Sequence, residues 1–321
     1  MNKLLANILF ISSLVWTAAS GATETSSSGR VFLSFDDGPI NATIDLLDQL
    51  KSANVKASFF INSHHLHGTG GEAASHATEA LRRLIAEGHI IGNHSYDHMA
   101  HNNRPFDPQR IIVNSYKQLD EELPFFEALN KEPVKKVLGK DFNQANNQIN
   151  QLLRLPYTNN WRLPGLTIDC PCCTLDEIDI KKVVSPTGSC PVKTQSSSNA
   201  ITLSDHFAEK GIHIFGWDVH WGPTNWAVSN VSETLQEVDE LIKDIDAAFA
   251  GKSCETEEFI PKINCQAPPR TGKVIVLTHD FLFENSYRGK GKDVNLPKLA
   301  HLITRLREKG YTLDTLDNYF N

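Results

Sequence analysis

The sequence predicts an α/β fold built on a parallel sheet, either doubly wound or closed into a barrel. Two observations lead there. Short runs rich in β-formers alternate with helical patterns along most of the chain, and that alternation is the signature of parallel strands joined by crossover helices. Ionisable residues then follow several of those runs directly, where parallel sheets and barrels gather their functional groups. No Gly-rich phosphate loop follows the first strand, which disfavours a nucleotide-binding version of such a sheet.

A chain of 321 residues fits one large domain or two. Hydrophobic residues at 40% and charged residues at 21% describe an ordinary globular protein with a core. Lys and Arg total 31 against 38 Asp and Glu, a net charge of -7. That excess of acid argues against nucleic acid or an anionic membrane as the main partner. No obligatory protein partner is evident.

The elements follow in order. Residues 1–22 read as a secretory signal peptide: Lys3, an apolar stretch over 4–15, then Ala18, Ala19, Ser20, Gly21 and Ala22. Residues 23–29 form a polar, flexible tail, and 30–321 a single domain. The protein is then expected to be exported, either secreted or periplasmic. The run 30–35 is a strand that stops at the turn Asp36-Asp37-Gly38-Pro39. Asn41 is positioned to cap a helix carrying Ile44, Leu46, Leu47 and Leu50. Residues 56–62 form the next strand, 63–76 a long loop, and 77–87 a helix closed by Gly88. A third strand covers 89–93. Later strands are expected at 152–155, 212–217 and 273–278, with helices at 110–128, 200–210, 232–250 and 296–309 and a second long loop over 158–199. Long loops in a compact domain are usually functional or disordered. In an exported protein the six cysteines, Cys170, Cys172, Cys173, Cys190, Cys254 and Cys265, read as disulfides. Short loops close most easily, so Cys254 should pair with Cys265, and Cys190 with the cluster at 170–173.

The residues at the strand ends carry the chemistry. Asp36 and Asp37 follow the first strand, His94 and His98 the third, Arg154 ends a later one, Asp218 follows Trp217, and His279 and Asp280 follow the run 273–278. In a helical turn His94-Ser-Tyr-Asp-His98 places two imidazoles on one face, a spacing that suits zinc. A hydrolytic zinc site takes about three protein ligands and leaves room for water. The third ligand is a carboxylate or another histidine, and the Asp36-Asp37 pair can supply both that ligand and a base. Each residue also has a plain structural reading, in which the aspartates form a turn with Gly38 and Pro39 and Arg154 makes a structural ion pair.

Five strings appear in one order: Ser34-Phe-Asp-Asp-Gly-Pro39, His94-Ser-Tyr-Asp-His98, Arg154-Leu-Pro-Tyr157, Trp217-Asp-Val-His-Trp221 and Leu277-Thr-His-Asp280. They resemble the five motifs of the carbohydrate esterase family 4 polysaccharide deacetylases, the NodB-type domain. The longer strings around Asn41, 92–99 and 278–283 are similar to those of bacterial chitin-oligosaccharide deacetylases. The resemblance runs from about residue 30 to 316. It implies an irregular (β/α)7 barrel, a single catalytic domain with long loops pinned by disulfides. It implies that Asp37, His94 and His98 hold a divalent metal, zinc or another such as cobalt, and that Asp36 deprotonates the attacking water. Arg154 would orient Asp36, the Tyr157 backbone N–H would bind the oxyanion, and Pro156 and Trp221 would line the substrate site. His279 would protonate the leaving amine, with Asp218 holding it in its cationic form.

The fourth string departs from much of the family, which has an acidic residue where this chain has His220. His64, His65, His67 and His76 crowd the stretch 63–76 and offer a second metal site or a solvated loop. The expected function is metal-dependent N-deacetylation of N-acetylglucosamine units in short chitin oligosaccharides. The alternatives are another acetylated polysaccharide (peptidoglycan, polymeric chitin or acetylxylan) and a non-catalytic glycan-binding member of the fold.

Overall fold

The structure is a computed structural model, and it describes residues 29–67, 71–98, 119–156, 158–169, 195–222, 234–250, 272–285 and 291–321. Residues 1–28, which hold the expected signal peptide and most of the tail, all six cysteines with their expected disulfides, and Tyr157 lie outside the described residues.

Among the described residues ten strands make one sheet: β1 (Arg30–Gly38), β2 (Ser58–Ile61), β3 (Ile90–Asn93), β4 (Leu152–Leu153), β5 (Trp161–Leu163), β6 (Leu166–Ile168), β7 (His213–Ile214), β8 (Val219–His220), β9 (Lys273–His279) and β10 (Thr312–Asp314). Their order is β6-β5-β7-β4-β3-β2-β1-β9-β8, with β10 beside β1. All pairings are parallel except those of β5, which runs antiparallel to β6 and β7. Helices α1 (Asn41–Ser52) and α2 (Gly71–Ala86) cross over between β1 and β2 and between β2 and β3. Later crossovers include Gln195–Glu209, Val238–Phe249 and Gly291–Glu308. Among the described residues no helix is long and apolar enough to cross a membrane.

The result is a mixed α/β half-barrel. The expected seven-stranded barrel is not closed by hydrogen-bonded ladders, because no ladder joins β7 to β8. The chain itself spans that seam over residues 215–218. Phe215 N–H reaches the Leu153 carbonyl at 2.9 Å, and Asp218 N–H reaches the Ile275 carbonyl at 2.9 Å. The buried Arg154 guanidinium satisfies two carbonyls that a partner strand would otherwise have taken, Phe215 and Gly216, each at 3.0 Å.

Strand periodicity sorts the core into two layers. Val31, Leu33 and Phe35 of β1 pack outward with Val274 and Val276 of β9 against α1, whose Leu46, Leu47 and Leu50 are fully buried. Truncating any of those leucines to Ala should cost about 2–5 kcal/mol. Phe32, Phe60, Phe215 and Ile275 point inward and fill the half-barrel with Leu316 and Tyr319.

Candidate active site

The same alternation delivers the polar residues. Counting in twos from the inward Phe32 leads to Ser34 and Asp36, from Ile275 to His279, from Leu152 to Arg154 and from Ile90 to His94. Each inner face is apolar below and ionisable at its C-terminal end, so these side chains meet at one mouth. Asp37 would face outward by this rule. A register shift against β2 between Asp36 and Gly38, and a φ of 74° at Asp37, turn it to the mouth instead. Ser95 (φ 68°) and His98 (φ 55°) are also in the left-handed region. Non-glycine residues stay there only where their surroundings fix them. Here Asn62 donates to the His94 and Ser95 carbonyls, Asn93 Oδ1 accepts Ser95 N–H at 2.9 Å, and His64 N–H reaches the Tyr96 carbonyl at 2.9 Å.

Asp36, Asp37, His94 and His98 form one cluster. Arg154 Nη1 donates to Asp36 Oδ1 at 2.8 Å and to Ser34 Oγ at 2.9 Å. His94 Nδ1 lies 2.8 Å from the Arg154 carbonyl, so Nδ1–H donates there and the Nε2 lone pair faces the carboxylates. Nε2 of His94 is 3.6 Å from Asp36 Oδ2 and 3.5 Å from Asp37 Oδ1; Nε2 of His98 is 3.3 Å from Asp37 Oδ1. One ligand atom each from Asp37, His94 and His98 lie within 4.8 Å of one another. Asp37 Oδ1 is buried without a hydrogen bond. A carboxylate oxygen and two imidazoles, with one of the imidazoles oriented from behind, suit zinc and neighbouring divalent ions. Among the described residues this is the only group of three or more such ligands, so His64, His65, His67 and His76 make no second one.

The electrostatics separate the two aspartates. Burial pushes Asp36 up, against the pull of Arg154 and His94. Burial pushes Asp37 the same way, but His98, His94 and His279 outweigh it and hold its carboxyl well below the usual range. Burial lowers His98 to about 4 against the pull of Asp37. Burial lowers His94 too, but the two aspartates outweigh it and raise it.

Asp218 Oδ2 accepts the Ile275 N–H at 2.8 Å, which stitches it to the middle of β9. His279 meets the edge of the His220 ring, with centroids 5.4 Å apart and planes at 85°. Two expectations need correcting. His279 is not cationic at rest. Burial, with His220 and His98 adding to it against Asp37, lowers it to about 3. Trp221 lines no open site: it is fully buried against Phe283, and its indole N–H reaches the Gln236 carbonyl at 3.0 Å. Trp217 is the half-buried tryptophan near the cluster, its ring 5.9 Å from the Arg154 guanidinium carbon and 6.5 Å from the His220 ring. Pro156 is buried beside the undescribed Tyr157. Ser34 and Asn62 were missed by sequence reasoning, although Asn62 carries the same signal as the others, a polar residue at a strand end.

Residues 23–170 match the polysaccharide deacetylase family. The chitin disaccharide deacetylase of Vibrio alginolyticus is 37% identical over 334 aligned residues, covering 98% of this chain and 77% of that protein. This chain belongs to the polysaccharide deacetylase family. A chitin deacetylase of Colletotrichum lindemuthianum is 40% identical over 75 residues, 23% of this chain and 29% of that protein. A solved structure of a chitin deacetylase from that fungus overlays with a TM-score of 0.46 at 21% identity, covering 91% of this chain and 87% of that one. Polysaccharide deacetylases are hydrolases, and the donor set above is the feature of this member on which metal-dependent hydrolysis would turn.

Proposed function

We propose that this protein removes the N-acetyl group from N-acetylglucosamine units of short chitin oligosaccharides and releases acetate. One observation carries the reading: a buried carboxylate, Asp36, is held by Arg154 directly beside the donor trio Asp37, His94 and His98. A glycan-binding module has no use for a base in that place. The substrate class rests on identity along nearly the whole chain to a protein named for chitin disaccharide.

Asp37, His94 and His98 would hold zinc, or cobalt in its place; such an ion supplies Lewis-acid polarisation of the amide carbonyl and makes a water more acidic. Asp36 takes the proton of the attacking water as the new C–O bond forms. Arg154 keeps Asp36 ionised and aimed, and Arg154 is itself fixed by Ser34 and the seam carbonyls. His279 is neutral at rest. As negative charge builds on the substrate His279 takes a proton from solvent and passes it to the nitrogen as the C–N bond breaks, and Asp36 returns the water proton to solvent. The products are acetate and the free amine. The N-terminal charge, apolar stretch and small residues support export, with the deacetylase acting outside the cytoplasm.

The test is acetate release from di-N-acetylchitobiose by the wild type, with and without a chelator. Release that stops with the chelator and returns with zinc or cobalt is expected. A higher kcat/KM on peptidoglycan, polymeric chitin or acetylxylan would overturn the substrate class. No acetate from any of them would leave only glycan binding.

A further inference from the structure

Two fully buried side chains that this chemistry does not use join the two ends of the apparatus. Asp280 follows His279 and opens the single turn Asp280–Phe283 after β9. Thr43 lies in the first turn of α1, and its hydroxyl donates to Asp280 Oδ2. The Thr43 hydroxyl oxygen in turn accepts Ile40 N–H at 2.9 Å. Thr43 therefore closes the turn after Asp37 and ties it to the turn after His279. Gly38 sits so close that a Cβ there would stand 2.2 Å from Asp280 Oδ2 and 3.1 Å from Thr43 Oγ1. The ladder between β1 and β9 ends with the pair Asp36 and His279. Past that rung the backbone no longer sets the spacing of the two strand ends, and the Thr43–Asp280 contact is the next link between them.

We propose that Thr43 and Asp280 form a positioning clamp that sets the β1 turn, with Asp36 and Asp37, against the β9 turn, with His279. Thr43 uses only one carboxyl oxygen of Asp280; the other is buried without a hydrogen bond. The clamp thus needs an acceptor at Oδ2 and no charge. Burial, with the Asp37 and Asp36 carboxylates behind it, outweighs the Thr43 hydrogen bond and pushes Asp280 up to about 8, which is consistent with a neutral group.

The kinetic arm rests on the deacetylase reading, with wild-type turnover as its control; the exchange arm does not. Thr43→Val, Asp280→Ala, Asp280→Asn and the double variant Thr43→Val/Asp280→Ala are compared. Small misplacements of catalytic groups cost up to about 10²-fold, so Thr43→Val and Asp280→Ala should lose kcat by about ten- to a hundredfold with KM changed less than about threefold. The double variant should be no worse than the worse single variant, because both remove one link. Asp280→Asn keeps the acceptor and should restore kcat to within about threefold of the wild type. In Thr43→Val, amide hydrogen exchange of a peptide spanning 36–44 should quicken while that of β1 residues 30–35 stays slow. If Asp280→Ala does not fold, Thr43→Val, which trades a hydroxyl for a methyl of similar size, carries the test. Wild-type kcat with wild-type exchange in Thr43→Val would overturn the clamp. Asp280→Asn as impaired as Asp280→Ala would also overturn it, since the charge would then be what matters.

Discussion

Asp36 can act as a base only while it is ionised, and burial works against that. Arg154 is the opposing force, through its 2.8 Å hydrogen bond to the carboxylate. Asp36→Asn should therefore keep the metal and lose turnover by about 10²–10⁴; near-normal turnover with normal metal content would refute the base assignment. Arg154→Met removes more than a partner. It strands the Asp36 carboxylate and the carbonyls of Phe215 and Gly216 in a buried seam. Breaking a buried pair from one side costs about 3–5 kcal/mol, so the urea midpoint should fall, and an unchanged midpoint would show that the seam is not held this way. At this scale Asp36, Asp37, His94, His98 and Arg154 were legible in the sequence because each stands at a strand end in a distinctive string. The surroundings of His279 were not: that the His220 ring meets it edge-on depends on where β8 docks along β9.

At the scale of single elements, the entry to β3 is sensitive to acid. His89 is fully buried; its Nδ1 accepts Ala57 N–H at 3.2 Å and its Nε2 is buried without a hydrogen bond. Burial, with Lys56 behind it, lowers it to about 4. The folded state thus holds this proton less tightly than the unfolded chain, whose histidine has a pKa of about 6.5. Its contribution is complete above about 6.5 and is lost as pH falls towards 4, a change of about 3 kcal/mol. In His89→Asn, whose side chain can still accept from Ala57, the urea midpoint should fall less between pH 7.5 and pH 5 than in the wild type. Equal falls would show that His89 does not set the acid response. The elements that sequence reasoning placed were those with many buried apolar residues, such as α1, β1, β9 and the helix Gly291–Glu308. The stretch 63–76, expected as a loop, instead holds a 3-10 turn over Ser63–Leu66 and the start of α2 at Gly71. The helix Phe142–Gln151 was missed because its sequence is Asn- and Gln-rich, with only Ala145 and Ile149 buried. Strands β8 and β10, of two and three residues, are too short for a period to show. Asn41, expected as the cap of α1, lies inside the helix; the cap is Ile40, whose N–H Thr43 takes.

For the whole molecule, sequence reasoning found the parallel α/β plan but not how the sheet ends, because the seam depends on one long-range side chain, Arg154, rather than on any local pattern. That seam and the metal site touch, because His94 donates to the Arg154 carbonyl, which couples the site to global stability. A ligand that binds only the folded state stabilises it by RT ln(1 + [L]/Kd), about 4 kcal/mol at a thousandfold excess over Kd. Asp37, His94 and His98 come from separate segments, brought together by β1 and by the turn after β3, so the unfolded chain offers no comparable site. Chelation should therefore lower Tm by several degrees in the wild type, and zinc or cobalt should restore it. His98→Ala is the cleaner control. Its side chain is 24% exposed, whereas His94 is almost fully buried and also binds the Arg154 carbonyl. In His98→Ala the starting Tm should stay near that of the chelated wild type, and the chelator should shift it little. The same comparison separates the site from the fold: an equal chelator effect in both proteins would mean that the stabilising ion binds elsewhere, and Asp37, His94 and His98 would lose their assignment.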